Sequence, residues 1–251
     1  MHGRIAALPA LLVVVAAVAA GACSDSGPSL TDPNEILTKA VASLQTVKTV
    51  HLEATADGRL QLDLTGAGGG DVSLTGTKLE MDIDFEVGAS TLRLEVPAVF
   101  GLTFDAITIG GDTYTRTSIG GDKYRKETSG TSVLDIDLRD PAQLLRDIEV
   151  WLVQSPVQPT KESDASCGLE SCYQVKLELT VAEAQELVPG MLGLGDTTAS
   201  VIVLVEKDSL RPASLTLDVN AGEAGELAVG LRLSDWDAGL DIAAPPADQV
   251  E

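Results

Sequence analysis

The stretch from Lys78 to Val96, KLEMDIDFEVGASTLRLEV, decides the fold. Apolar and charged residues alternate along both of its halves, and Gly88-Ala89-Ser90 separates the halves. The apolar positions are Leu79, Met81, Ile83, Phe85 and Val87, followed by Leu92, Leu94 and Val96. A period of two gives a strand one apolar and one polar side, and a short break containing glycine predicts a hairpin. We therefore expect an antiparallel sheet with one solvated face and one apolar face.

Other stretches predict more strands and three helices. Alternating runs at 49–56 and 59–65 predict two strands joined by a tight turn at Asp57-Gly58. Further strands are expected at 71–75, 100–109, 113–117, 123–126, 173–179, 199–206, 211–219 and 226–233. Helix start signals at Asp32-Pro33, at Asp140-Pro141 and at Thr180 predict helices over 33–45, to about 153 and to about 189. One α+β domain over residues 32–246 follows, with a long antiparallel sheet and helices gathered on one face, and with 247–251 as a C-terminal tail.

The N-terminus has the pattern of an export signal. Arg4 precedes an apolar run, and the small residues Ala20-Gly21-Ala22 come directly before Cys23. This pattern predicts a signal peptide over residues 1–22 and cleavage before Cys23. The small residues before a cysteine resemble a bacterial lipobox, so we expect Cys23 to carry diacylglycerol and residues 23–31 to form a polar tether. The alternative is ordinary secretion with a free Cys23.

The formal net charge of −21 limits the partners of the chain. Binding to nucleic acid needs clustered Lys and Arg, so nucleic acid is not an expected partner. The same charge disfavours electrostatic docking on anionic lipid surfaces. Solubility is the simplest use of the charge.

Chemically reactive residues are few. Cys167 and Cys172 form a close pair in an exported chain, which favours a structural disulfide. A metal site is poorly supported because His51 is the only other soft ligand after the signal peptide. No GxSxG nucleophile motif is present, and we expect no catalytic residues, no metal and no cofactor. The acidic residues Glu80 to Glu86 are spaced too widely along a strand to hold one Ca²⁺ and predict a solvated face instead.

The order of motifs resembles a family of bacterial lipoproteins. It comprises the lipobox-like Ala20 to Cys23, the opening helix, residues 49–64, GGDTYTR at 110–116, GGDKYRK at 120–126, Asp140-Pro141-Ala142, VEKDSLRPASLTLDV at 205–219, Ser234-Asp235-Trp236 and IAAPP at 242–246. This order is similar to that of the LppX/LprA/LprF/LprG lipoproteins, whose fold is like that of LolA and LolB. The resemblance implies a single strongly curved antiparallel sheet, a half-barrel, with helices packed on its concave face around a cavity for acyl chains. It also implies that the protein carries or transfers (glyco)lipids across the cell envelope.

The expected partners follow from that resemblance. They are a lipid or lipoglycan ligand, the outer face of the cell membrane through the N-terminal anchor, and an export partner in the membrane. The residues expected to contact acyl chains are Leu79, Met81, Ile83, Phe85, Leu92, Leu94, Phe104, Leu144, Ile148, Val175, Leu177, Val201, Val203, Leu215 and Leu217. Two alternatives stay open: an envelope lipoprotein without a ligand that acts as an assembly or sensor module, and a hydrolase of envelope lipid, against which the missing nucleophile motif counts.

Overall fold

The computed structural model describes residues 29–62, 70–127, 157–181 and 197–251. Helix α1, Pro33–Leu44, begins where the Asp-Pro pair predicts, since the backbone N–H of Asn34 donates to Asp32 Oδ1 at 2.9 Å. The helix predicted after Asp140 lies outside the described residues, and so does the helix predicted after Thr180 beyond Val181.

In the described ranges, thirteen strands form one antiparallel sheet. They are β1 (Thr49–Leu62), β2 (Gly70–Ser73), β3 (Thr77–Asp84), β4 (Ala89–Val96), β5 (Leu102–Ile109), β6 (Asp112–Thr117), β7 (Arg125–Glu127), β8 (Thr160–Lys161), β9 (Ala165–Cys167), β10 (Glu170–Leu179), β11 (Thr198–Glu206), β12 (Pro212–Asn220) and β13 (Gly225–Ser234). Their order across the sheet is β7-β6-β5-β4-β3-β1-β13-β12-β11-β10-β8, with β2 paired to β1 and β9 to β10.

The sheet is curved and open, with β7 at one edge and β8 at the other. Two meanders, β3 to β7 and β10 to β13, meet where β1 pairs with β13 from His51↔Ser234 to Leu60↔Gly225. The predicted α+β class, a single curved antiparallel sheet of the half-barrel kind with a helix packed on it, is confirmed.

The hairpin predicted at Asp57-Gly58 is wrong. β1 runs through these residues without reversing, and it pairs with β13 along its whole central part. On its other side, β1 pairs with β3 and then with β2, and the backbone N–H of Gly76 donates to Asp57 Oδ1 at 2.9 Å where the two meet. Gly58 has a φ of +133°, a conformation that favours glycine, and the strand continues through it in unbroken register with β13.

Helix α1 packs against β10 and β11. Ile36, Leu37 and Ala40 on its apolar stripe are buried in one hydrophobic cluster with residues of β10 to β13. A second cluster, centred on Met81, lies across β1, β3 and β4. The helix therefore packs mainly on the β10–β11 side of the sheet, and Leu44 at its C-terminal end reaches the second cluster.

Two covalent or polar connections lie near the edges of the sheet. Cys167 and Cys172 are joined by a disulfide, with Cα atoms 5.9 Å apart, across the β9–β10 hairpin. The residues predicted as a C-terminal tail are attached to β7's side of the sheet: the Tyr124 N–H donates to the Gln249 carbonyl at 2.8 Å, and the Glu251 N–H donates to the Tyr124 carbonyl at 2.9 Å. Arg125 pairs with the Glu251 side chain at 2.7 Å.

Candidate functional site

One face of the sheet, called here the apolar face, carries a row of apolar residues across eight neighbouring strands. Register pairing places these residues side by side, from β10 to β5: Val175, Val203, Leu215, Leu231, Ala54, Leu79, Leu94 and Phe104. Neighbouring strands are about 4.8 Å apart, so the row is about 34 Å long. The period of two predicts which residues of each strand are on the apolar side. The pairing register then places these residues next to each other across the strands.

Burial divides this surface into two parts. Val175 and Val203, at the end of the row beside α1, are buried. The six positions from Leu215 to Phe104 are half-buried. The apolar row therefore keeps accessible apolar area from β12 to β5, away from the two strands that α1 mainly contacts.

The predicted lipid-contacting residues fall into three groups. Buried in the two clusters are Met81, Ile83, Leu92, Val175, Leu177, Val201 and Val203. Half-buried are Leu79, Phe85, Leu94, Phe104, Leu215 and Leu217. Leu144 and Ile148 lie outside the described residues. All thirteen described residues belong to the two clusters or pack against them, and the half-buried six are the ones whose apolar surface is open to a ligand.

The sequence prediction missed the centre of the row. Leu231 of β13 lies between Leu215 and Ala54, and its neighbours Val229 and Leu233 are half-buried on the same face. The alternation from Leu227 to Leu233 was the available signal, because a period of two assigns these residues to one side of a strand. What the sequence lacked was the β1–β13 pairing that brings them to the middle of the sheet.

The opposite face is polar and ion-paired. His51 Nδ1 lies 2.7 Å from Asp82 Oδ1, and the Thr91 hydroxyl donates to the other Asp82 oxygen at 3.2 Å. The hydrogen bond to Asp82 is the main cause that raises the pKa of His51 above its ordinary value of about 6.5. Lys48 pairs with Glu86 at 3.0 Å. The acidic residues of β3 therefore lie on the polar face of the sheet, where Asp82 has the partners just named.

Tyr114 and Tyr124 are packed under cations. The Arg116 guanidinium lies 4.6 Å from the centre of the Tyr124 ring and pairs with Asp105 at 2.7 Å. Lys126 Nζ lies 5.7 Å from the Tyr114 ring. Tyr114 is paired with Ile107, which places it on the polar face of the sheet and not on the apolar face.

A groove of about 790 Å³ opens at the end of β10 to β13. Its lining combines charged residues, among them Lys176, Glu178 and Asp218, with apolar ones such as Leu179 and Leu227. None of the described residues predicted to contact lipid lines it. Sites for apolar ligands are mainly apolar, so we take the apolar face, not this groove, as the candidate site.

Two further features bear on function. Within the described residues, no group of three or more His, Cys, Asp or Glu is placed to hold a metal ion. No helix in the same part of the chain has the length and apolar character needed to span a membrane.

The fold is an open, curved antiparallel sheet, and it is similar to the fold of two solved lipoprotein structures. No protein-family model matches the chain, and no curated protein sequence matches it. Among solved structures, the lipoprotein LppX of Mycobacterium tuberculosis superposes with a TM-score of 0.54 at 14% identity, over 84% of this chain and 98% of LppX. LprF of Mycobacterium bovis superposes with a TM-score of 0.54 at 16% identity, over 85% of this chain and 96% of LprF. The resemblance predicted from the sequence is confirmed at the level of the fold.

Proposed function

We propose that this protein is an exported, lipid-anchored protein of the cell envelope that binds the acyl chains of (glyco)lipids on its apolar face and carries or transfers them. The observation that supports it most is the half-buried part of the apolar row, from Leu215 to Phe104. A one-sided antiparallel sheet normally covers its apolar face. Contiguous accessible apolar area on a soluble domain is typical of a binding surface.

The dimensions of this surface suit acyl chains. Six strands separated by about 4.8 Å give about 24 Å of continuous apolar contact. One leaflet contributes about 15 Å, half of the roughly 30 Å hydrocarbon core of a bilayer. The half-buried part of the row is therefore long enough for a whole acyl chain, and each buried CH₂ contributes about 0.8 kcal/mol.

The anchoring part of the proposal rests on Cys23. Acylation there would keep the carrier at the membrane that supplies or receives the lipid, with residues 24–29 as a tether. The fold shared with LppX, a lipoprotein, supports this assignment. A lipid ligand and an export partner in the membrane are part of the same proposal.

The experiment is lipid extraction from the purified protein in which a secretory signal that is cleaved without acylation replaces residues 1–23, so that it has no acyl group of its own. Mass spectrometry of the extract is expected to find bound lipid. Replacing Leu215 and Leu217 with Gln places two amides on the apolar face, and we expect the ratio of lipid to protein to fall several-fold. The matched control replaces Ser214 and Thr216 with Gln, on the same strand but on the other face, and is expected to retain the lipid.

Absence of lipid would contradict the proposal. If the parent protein yields no lipid and takes none up from phospholipid micelles, the protein is an envelope module without a ligand. If both double variants lose lipid equally, the site is not on the apolar face.

A further inference from the structure

Large apolar side chains are exposed in two neighbouring turns of the sheet. Phe100 is fully exposed and Val99 is 42% exposed in the turn between β4 and β5. Ile119 is 73% exposed in the segment between β6 and β7. We call these three side chains the apolar tip. Solvent exposure of such residues is costly in water, and their clustering points to a partner that covers them.

The two turns are adjacent because β5 lies between β4 and β6. The Thr103 N–H donates to Ser118 Oγ at 3.0 Å, and the Ser118 N–H donates to the Thr103 carbonyl at 3.0 Å. These bonds join the start of β5, three residues after Phe100, to the residue before Ile119. The tip is therefore one surface at one end of the strands.

The tip is held in place by the backbone. In the first turn, the N–H groups of Val99, Gly101 and Leu102 donate to carbonyls of the same turn at 2.9–3.1 Å. In the second, the Gly120 N–H donates to the carbonyl and hydroxyl of Thr117. Phe100 has a φ of +53°, a conformation that costs a bulky residue about 1–2 kcal/mol. The fold thus maintains a strained backbone that presents a phenyl ring to solvent.

The tip is nearly free of charge in a strongly acidic chain. Residues 97–101, PAVFG, and 118–121, SIGG, contain no charged residue, whereas the chain has 38 acidic residues and a net charge of −21. The first charges beyond the second turn are Asp122 and Lys123, which cancel. The tip can therefore bind a partner through apolar contacts but not through attraction between opposite charges.

We propose that the apolar tip inserts into the interfacial region of a lipid bilayer. On its own the tip is smaller than a stable protein interface, because such an interface covers about 800 Å² on each side and three side chains of at most about 200 Å² each fall short of it. A bilayer needs no such area, since Phe, Leu and similar residues enter the headgroup boundary individually. Insertion of the tip does not require a lipid bound on the apolar face. Vesicle binding therefore tests the tip, lipid extraction tests the apolar face, and either result can be negative without the other.

Two other exposed apolar residues provide a control. Val87 is 68% exposed between β3 and β4, and Leu169 is fully exposed between β9 and β10. Both lie at the opposite end of the strands, and the two are on different halves of the sheet. These two side chains are about as exposed as Phe100 and Ile119, but they are not neighbours of each other.

The test measures binding of residues 24–251, which carry neither the signal peptide nor an acyl group, to phosphatidylcholine vesicles by flotation. The protein is expected to float with the vesicles. Phe100→Asn, chosen because Asn tolerates a positive φ, combined with Ile119→Ser is expected to lower the partition coefficient about tenfold or more. Val87→Ser with Leu169→Ser is expected to leave it unchanged. Adding phosphatidylglycerol to the vesicles is expected not to strengthen binding.

A second measurement locates the contact. In Phe100→Trp, the emission added by the new indole is expected to shift to the blue with vesicles and to be quenched by brominated acyl chains, while the emission added in Val87→Trp does not change. A parent chain that never floats, or a tip variant that floats as well as the parent, overturns the proposal. The first of these results would favour a protein partner for the tip.

Discussion

Gly58→Ala is expected to destabilise the protein far more than an ordinary glycine substitution. A methyl group on Gly58 would lie 2.2 Å from the carbonyl oxygen of Glu226 and 2.9 Å from the Cα of Leu227. Both are backbone atoms of β13, which cannot rotate aside. The strands must therefore separate locally at the junction between the two halves of the sheet.

The size of the effect follows from two contributions. A side chain with positive φ costs about 1–2 kcal/mol. Loss of two or three ladder hydrogen bonds, at about 1 kcal/mol each, brings the total to about 4 kcal/mol. For a domain of this size, 1 kcal/mol corresponds to about 2–4 °C, so the melting temperature should fall by about 8–16 °C.

Gly88→Ala is the matched control. Gly88 also has a positive φ, +64°, but a methyl group added to it would meet nothing within 4 Å beyond its own chain neighbours. This substitution should cost about 1 kcal/mol, or about 2–4 °C. Thermal and urea unfolding of the two variants measure the difference. Equal melting temperatures would refute the close β1–β13 approach at Gly58.

Three more predictions concern single groups. His51, the only histidine after the signal peptide, should titrate by NMR with a pKa above about 6.5, and Asp82→Asn should lower that pKa. Because the folded pKa is raised, the stabilisation by His51 is complete below about pH 6.5 and is lost as the pH rises through the folded pKa. A His51→Gln variant should not show that loss of stability. Cys167→Ala with Cys172→Ala should reduce the free energy of unfolding in urea by about 2 kcal/mol, as expected for a loop of about six residues, and an unchanged value would mean that the disulfide does not constrain the unfolded chain. Cys23→Ala should abolish signal-peptide cleavage and acylation, so that the protein in cells keeps the mass of the uncleaved chain without an acyl group, and a variant that is processed like the parent would exclude a lipid anchor at Cys23.

The faces of the strands were predictable because a strand's period is local. Leu79, Met81 and Ile83 alternate with charged residues, and the pleat alone then assigns them to one side. The helix start at Asp32-Pro33 was predictable for the same reason, since capping involves neighbouring residues.

Features that depend on distant residues were not predictable. The Asp57-Gly58 pair suits a hairpin turn and also the interior of a continuous strand, and the choice depends on β13, which lies more than 160 residues further along the chain. Phe100 has the β propensity of a strand residue, yet β5 starts at Leu102 and Phe100 projects from the turn before it. The attachment of Gln249 and Glu251 to Tyr124 likewise has no local signal.

Photocrosslinking to bound lipid tests the central claim most directly. A photoreactive amino acid at Leu94 or at Leu215, on opposite sides of β1 in the apolar row, is expected to give a protein–lipid adduct by mass spectrometry. The same residue at Glu95 or at Thr216, each on the polar face of the same strand, is expected to give none. Adducts at all four positions, or at none of them in protein from which lipid can be extracted, would contradict binding of acyl chains on the apolar face.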